Sequence, residues 1–544
     1  MARIPADSSR GRVHDPWSPR GKPARLVLLA LWAVFTAVLS ALYLRLPPSP
    51  DHVTYDYIGW MVSDGAVLYR DVADSNWPGQ MFIHTVSVGL FGNQIWSYRA
   101  FELLLILPAG CAILFAFLRR YGDRVAAWVA VPVYQVMYAT AGLWISGQRD
   151  MVAGPLLVAA AYSLLRRTED AGRKYLVLQG LCLAGAGLIR PTLLVMAPLL
   201  TLADLLIIKT TGRNLREIVE DHIVVALSTL APLAVIAAIG IPSGALQGWY
   251  DATVLFNLEV YSQSRTPWEI AERLLPWILR CWHWYLVVSL LGVFYWWRRD
   301  ARALIGVGMI LPATIASVLI QGKGFEYHLG TLYPLLAILV ATVVGASWRY
   351  LASESRRFLP TGIALLLVAA PAAGLANNMW SALAPQRQLY LGRITEAQMY
   401  SRYDGGAEGL SVNDLLEVAE YVESTTRPDA TLLFWGRPCH VNYWAKRRSP
   451  SFAAGFALLS EPEPDFSLFA RWRARLEEMM ASRPPALLLL VKDEETGGYQ
   501  GLPPPDRRDE KLAGVILQHL PEYQLEKSIG LVDIYRLAWT PGES

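Results

Sequence analysis

Long apolar runs follow one another through the first 380 residues, at about 26–46, 95–118, 125–143, 150–165, 175–189, 191–208, 220–241, 273–297, 301–319, 329–347 and 358–378. Most come near the roughly 20 residues that carry a helix across a bilayer. A helix is also one of the two structures that satisfy every backbone polar group inside lipid. The pattern therefore predicts a polytopic α-helical membrane protein with about eleven transmembrane helices. The chain is 53% hydrophobic and 17% charged, with mean hydropathy +0.29, which excludes an ordinary soluble enzyme. A net charge of +3 without a basic cluster argues against nucleic acid as a partner.

Basic residues set the expected orientation. Arg119, Arg120 and Arg124, then Arg166, Arg167, Arg173 and Lys174, then Arg298, Arg299 and Arg302 crowd alternate connections, with Arg356 and Arg357 before the last span. The intervening connections are poorer in Lys and Arg, so the positive-inside rule places the N-terminus in the cytoplasm. Residues 1–25 then form a cytoplasmic tail, followed by an uncleaved anchor. Residues 26–380 form the membrane domain, and residues 381–544 a domain on the opposite side. In that last part amphipathic helices (Val412–Ser424, Phe466–Ala481, Arg508–His519) alternate with short apolar strands (Thr431–Trp435, Ala486–Val491, Leu531–Leu537), predicting a small α/β domain. Cys111, Cys182 and Cys281 lie in apolar runs and Cys439 stands alone, so no disulfide framework is expected.

The connection after the first run, within 47–94, is dense in carboxylates and aromatics together: Asp51, Asp56, Asp64, Asp71 and Asp74 among Tyr55, Tyr57, Trp60, Tyr69 and Trp77. Its periodicity predicts one short helix from Tyr55 to Asp64, ending at Gly65, and a second introduced by Pro78. Both are too short to span and are expected along the membrane interface. At the same ends of other runs stand Arg149 and Asp150, Arg190, and Lys323 with Tyr327 and His328. Charge at that depth is costly, and these cations could cradle a phosphate. The plainer readings are a local Arg149–Asp150 ion pair and a snorkelling Arg190. His84 reads as a satisfied interfacial histidine and His283, between Trp282 and Trp284, as a member of an aromatic belt.

DHVTYDYIG followed by GAVLYRDVADSNWPG resembles the first outer loop of the GT-C fold glycosyltransferases, the polyprenyl-phosphate-sugar-dependent enzymes that include protein O-mannosyltransferases and lipid A aminoarabinose transferases. QGKGFEYHLGTLYPLLAIL resembles the Lys/Arg-x-x-x-Tyr segment that such enzymes place near the lipid phosphate. The resemblance implies a GT-C-like membrane domain with its catalytic loop on the outer face. It makes Asp51 the catalytic residue, and together with the span-end residues Arg149, Arg190 and His328 it gives Tyr55, Asp71, Asp74, Lys323 and Tyr327 as the expected substrate-binding residues. The chain departs from the family pattern at His52, where a Glu often follows the aspartate, and at Asn76, where a lysine is frequent. It carries no implied cofactor, and a divalent metal stays open.

The expected reaction passes a sugar from a polyprenyl-phosphate donor to a hydroxyl of a glycan, lipid or protein acceptor, with inversion, at the plasma (inner) membrane. One base and a cationic cradle suffice, because the phosphate leaves without an acid. A transporter or flippase of lipid-linked sugars is the first alternative, although such proteins are commonly built from internal repeats and none is evident. A non-enzymatic envelope-assembly protein is the second.

Overall fold

The computed structural model describes residues 22–538 apart from 171, 262–264, 354–357, 436–438, 455–456, 505–506 and 508–509. The N-terminal tail to residue 21, Arg356 and Arg357 thus lie outside the described residues. Helices occupy all the expected runs. They are α1 (Lys22–Leu44), two short helices α2 (Pro50–Ser63) and α3 (Pro78–Phe91), then α4 (Ser97–Tyr121), α5 (Arg124–Ala139), α6 (Arg149–Asp170), α7 (Lys174–Ile189), α8 (Pro191–Ile208) and α9 (Leu215–Gly240). After a short α10 (Ala245–Tyr250) come α11 (Pro267–Arg299), α12 (Ala301–Gln321), α13 (Glu326–Leu351) and α14 (Phe358–Ala382). Among the described residues seven of these, α4, α8, α9 and α11 to α14, are long and apolar enough to cross a membrane alone. The others are shorter or more polar, as α5 and α7 at 16 residues each illustrate. The protein is a multi-pass membrane protein whose smaller helices pack among long ones.

Burial sorts the long helices. In α13 the apolar window is 89% buried, against 11% in α9 and in α14, so α13 is the axle of the bundle and the other two face lipid. Its N-terminal turn carries Tyr327 and His328, which ties the expected site to the most enclosed element. At the far end of the bundle Arg120–Glu169, Arg167–Asp221, Arg213–Asp204 and Arg349–Asp123 ion pairs knit the basic connections together.

The two helices after α1 form as their caps dictate. Ser49 and His52 make a capping box with Pro50 in the first turn of α2, and Pro78 opens α3. Their surroundings correct one expectation. α2 does not lie as a rim on the membrane surface: Val53, Tyr55, Tyr57 and Ile58 are buried in a core shared with the C-terminal domain. Only α3 keeps an exposed apolar edge, at Phe82, Val86 and Leu90. Gly79 lets α3 sit directly on α7, because a Cβ there would lie 2.6 Å from the carbonyl carbon of Leu188. Gly79→Ala is therefore expected to destabilise the protein by about 1–3 kcal/mol, read as a thermal shift in detergent. Gly89→Ala, which meets nothing within 4 Å, should leave it unchanged or slightly firmer.

The C-terminal domain contains α15 (Val412–Thr425), β1 (Leu432–Trp435), α16 (His440–Trp444), α17 (Phe469–Ser482), β2 (Leu487–Val491), α18 (Gly514–His519), β3 (Tyr523–Ile529) and β4 (Val532–Leu537). The sheet order is β1-β2-β4-β3, with β1 and β2 parallel and the other pairs antiparallel. The helix expected over Arg508–His519 is present only as α18, residues 508–509 lying outside the described residues. β3 was not expected: Lys527 interrupts the alternation of Tyr523, Leu525 and Ile529, and the middle of the strand is exposed.

Candidate active site

A cavity of about 250 Å³ lies at the end of the bundle beneath the C-terminal domain. Asp51, Arg149, Arg190, Lys323, Tyr327 and His328 all line it, joined by Asn76, Thr192, Asn257, Tyr261 and Gln321. Six separate stretches of chain thus converge on one space. Gly330 allows part of this: a Cβ there would stand 2.7 Å from the amide nitrogen of Met151, so only glycine lets the start of α13 pack on the start of α6.

Asp51 sits in the first turn of α2, where the helix dipole favours a carboxylate. Gln148 Nε2 donates to Asp51 Oδ2 at 3.1 Å and to Ser49 Oγ at 3.3 Å, fixing the carboxylate from below. Arg149 donates to Asn76 Oδ1. Asn76 in turn donates to Tyr55 Oη at 3.2 Å and to Asp74 Oδ1, which also accepts from the Asn76 amide at 3.0 Å. Tyr55 and Asp74 are therefore one step back from the cavity and hold the residue that lines it. Burial raises the Asp74 carboxyl to about 6, against the opposing pull of Asn76 and Arg149. Asp71 stands apart. It pairs with Arg70 at 2.8 Å and accepts from the Val67 amide, shaping the turn ahead of the site.

Arg190 does not snorkel. It is 3% exposed, pairs with Asp150 at 3.0 Å and faces the Tyr327 ring. Asp150 consequently serves Arg190 across two helices. Lys323 lies over the Tyr261 ring with its ammonium 3.0 Å from the centroid. Burial first, then Arg149 and Arg190, lower the Lys323 ammonium to about 7. Among the described residues Arg149 Nε, Arg190 Nε and Nη1 and His328 Nδ1 are buried without a hydrogen-bond partner, while Arg190 Nη2 has the Asp150 ion pair. Buried donors are normally satisfied. A group of them around one cavity asks for an anion.

The remaining candidates are structural. His84 is fully buried, 2.7 Å from Asp56 and stacked on Tyr98, so it is satisfied in the core rather than at an interface. His52 closes the cap of α2. Among the described residues no three His, Cys, Asp or Glu side chains converge as metal ligands, and the group donating to the Asp51 carboxylate is the Gln148 amide. That does not assemble the oxygen cage a divalent ion takes.

Arg99 and Glu102 were missed as a supporting pair. Arg99 Nη1 donates to Glu102, to Tyr43 Oη and to the Ser146 carbonyl at 2.8, 2.8 and 3.0 Å, and Nη2 reaches the Pro47 carbonyl at 3.0 Å. It thereby ties the chain entering α2 to the chain entering α6. Both side chains are fully buried, and a π turn begins at Glu102. The available signal was a charged pair three residues apart at the head of an apolar span.

Residues 75–238 match the family model described as dolichyl-phosphate-mannose-protein mannosyltransferase. The matched stretch includes Asn76, Arg149 and Arg190, and leaves out Asp51 and Lys323. The crystal structure of ArnT from Cupriavidus metallidurans bound to undecaprenyl phosphate is similar at TM-score 0.59 and 14% identity, covering 93% of this chain and 97% of that one. Its apo state is similar at TM-score 0.59 and 13% identity, covering 94% and 98%. At these identities the likeness is one of fold, and it runs through nearly the whole of both chains. No match was found among curated proteins.

Proposed function

We propose that this chain is a membrane glycosyltransferase of the GT-C fold working with lipid-phosphate sugars, that the cavity holds the donor phosphate and that Asp51 is the general base. The observation that carries this reading is the gathering of Arg149, Arg190, Lys323 and His328, with buried nitrogens still unpartnered on Arg149, Arg190 and His328, around the same space as the Asp51 carboxylate. Asp51 takes the proton of the acceptor hydroxyl as its oxygen bonds to the anomeric carbon. The bond from that carbon to the phosphate oxygen breaks on the opposite face, and the lipid phosphate leaves with the electron pair. Configuration inverts. The departing charge is met by fixed cations in a poorly hydrated site, where preorganised charges act strongly.

The acceptor is a hydroxyl of a glycan, lipid or protein. The membrane is the plasma (inner) membrane, with the cavity and the C-terminal domain on its outer side. The poverty of basic residues at the cavity's end of the bundle supports that orientation. Reporter fusions after Gln386 should read external, and a cytoplasmic reading would reverse it.

Donor binding tests the phosphate cradle. A charge-assisted contact contributes about 1.5–3 kcal/mol, so Lys323→Ala should weaken binding of a polyprenyl-phosphate sugar about ten- to a hundredfold. The donor is a phosphodiester, charged at every accessible pH, whereas Lys323 titrates near 7. Its ammonium is present below that value and lost as pH rises through it. Wild-type affinity should accordingly fall from about pH 6 to 9, and Lys323→Arg, always charged, should flatten the profile. Unchanged affinity in a folded Lys323→Ala protein removes this residue from the cradle.

A further inference from the structure

A second cavity, of about 370 Å³, lies between the end of α5, the first half of α11 and the last part of α14. It shares no lining residue with the catalytic cavity. Its polar lining includes Arg280, His283, Asn377, Asn378 and Ser381, and its walls are aromatic, chiefly Trp277 and Trp284. From this we propose that the cavity binds the phosphate headgroup of a membrane lipid, at a site separate from catalysis.

Depth supports the assignment. Arg280 lies nineteen residues (299 − 280) before Arg299 on one helix, which is about 28 Å at 1.5 Å per residue. Asn378 lies twenty residues (378 − 358) after the start of α14, or about 30 Å. The hydrocarbon core is about 30 Å thick. Both helices therefore place their polar residues at headgroup level, on the same side as the catalytic cavity. The apolar window of α14 is only 11% buried, so a lipid reaches the cavity sideways without passing through the bundle.

The chemistry matches a phosphate. Among the described residues Arg280 forms no ion pair with a carboxylate, and the residue is exposed. Asn378 donates to Tyr285 Oη at 3.1 Å, which sets its amide at the cavity wall. A guanidinium with neighbouring amide, hydroxyl and imidazole groups offers several donors to phosphate oxygens. Basic pockets between transmembrane helices are suited to anionic headgroups. An aromatic belt alone accounts for the tryptophans. It does not account for a guanidinium, an imidazole and two adjacent asparagines gathered around one cavity at that depth.

Two lipid sources share this chemistry, the bulk anionic phospholipid and a polyprenyl phosphate carrier. The test uses the purified, delipidated full chain and native mass spectrometry, with added phosphatidylglycerol, phosphatidylcholine or polyprenyl phosphate. Lys323→Ala is included to empty the catalytic cradle. One anionic lipid should bind in preference to phosphatidylcholine, survive Lys323→Ala, and weaken at least tenfold in Arg280→Ala, with partial recovery in Arg280→Lys. If phosphatidylglycerol behaves this way the occupant is bulk phospholipid; if polyprenyl phosphate does, it is the carrier. Either result supports the site. Equal retention of phosphatidylcholine and phosphatidylglycerol, or anionic-lipid binding unaltered by both Arg280→Ala and Arg280→Ala/His283→Ala, overturns it.

Discussion

Asp51→Asn is expected to lower sugar transfer about 10²–10⁴-fold, the usual contribution of a general base, while donor binding stays near wild type. The substitution keeps the size of the side chain and its ability to accept from Gln148, so α2 and its cap persist. What it removes is proton affinity. Turnover at saturating donor, measured beside donor affinity, separates the two effects. Asp56 is the instructive control. It is buried against His84 at 2.7 Å and lines no part of the cavity, so Asp56→Asn should show itself in thermal stability more than in the chemical step. Near-normal turnover in Asp51→Asn, with collapse in a folded Asp56→Asn protein, would move the base to Asp56.

Arg99→Leu should produce the largest loss of stability, about 3–5 kcal/mol, because it leaves Glu102 buried and uncompensated. The change also cuts the ties to the Pro47 and Ser146 carbonyls, on which the approach of α2 to α6 depends. The double variant Arg99→Leu/Glu102→Leu removes both charges and should recover part of the loss, though not the position of Asp51. Thermal unfolding in detergent reads the first effect and transfer rate the second. A single variant as stable as wild type would show that Glu102 is satisfied by Tyr43 and Tyr138 alone, which lie 3.0 and 2.6 Å from it.

The positions of the long helices were legible because apolar runs report their own burial in lipid or core. Their ability to span was less so, since α5 and α7 are apolar yet short. The cavity residues could be read as charges placed at helix ends, and Asp51, Arg149, Arg190, Lys323, Tyr327 and His328 do line one space. Pairings could not be read. Asp150 follows Arg149 in the chain but serves Arg190, because the side chains on a helix start point where the neighbouring helix lets them. Asn76 looked like a missing cation. Its place beside Arg149 shows a cation handed in from another helix instead. Tyr261 gave no signal, since an aromatic ring over an ammonium leaves no spacing in sequence.

The core shared by α2 and the C-terminal domain has a consequence for biosynthesis. Ala73 bridges to Ala453, Arg448 pairs with Asp64, and the Ser449 amide donates to Tyr57 Oη at 2.8 Å. The first of these contacts joins residues 380 positions apart (453 − 73). At about 5–20 residues per second, a ribosome needs roughly 20–80 seconds to make that interval. Asp51 emerges near the beginning of translation, yet the packing that encloses it is complete only near the end. A nascent or truncated chain can therefore reach the membrane before the packing around α2 is finished.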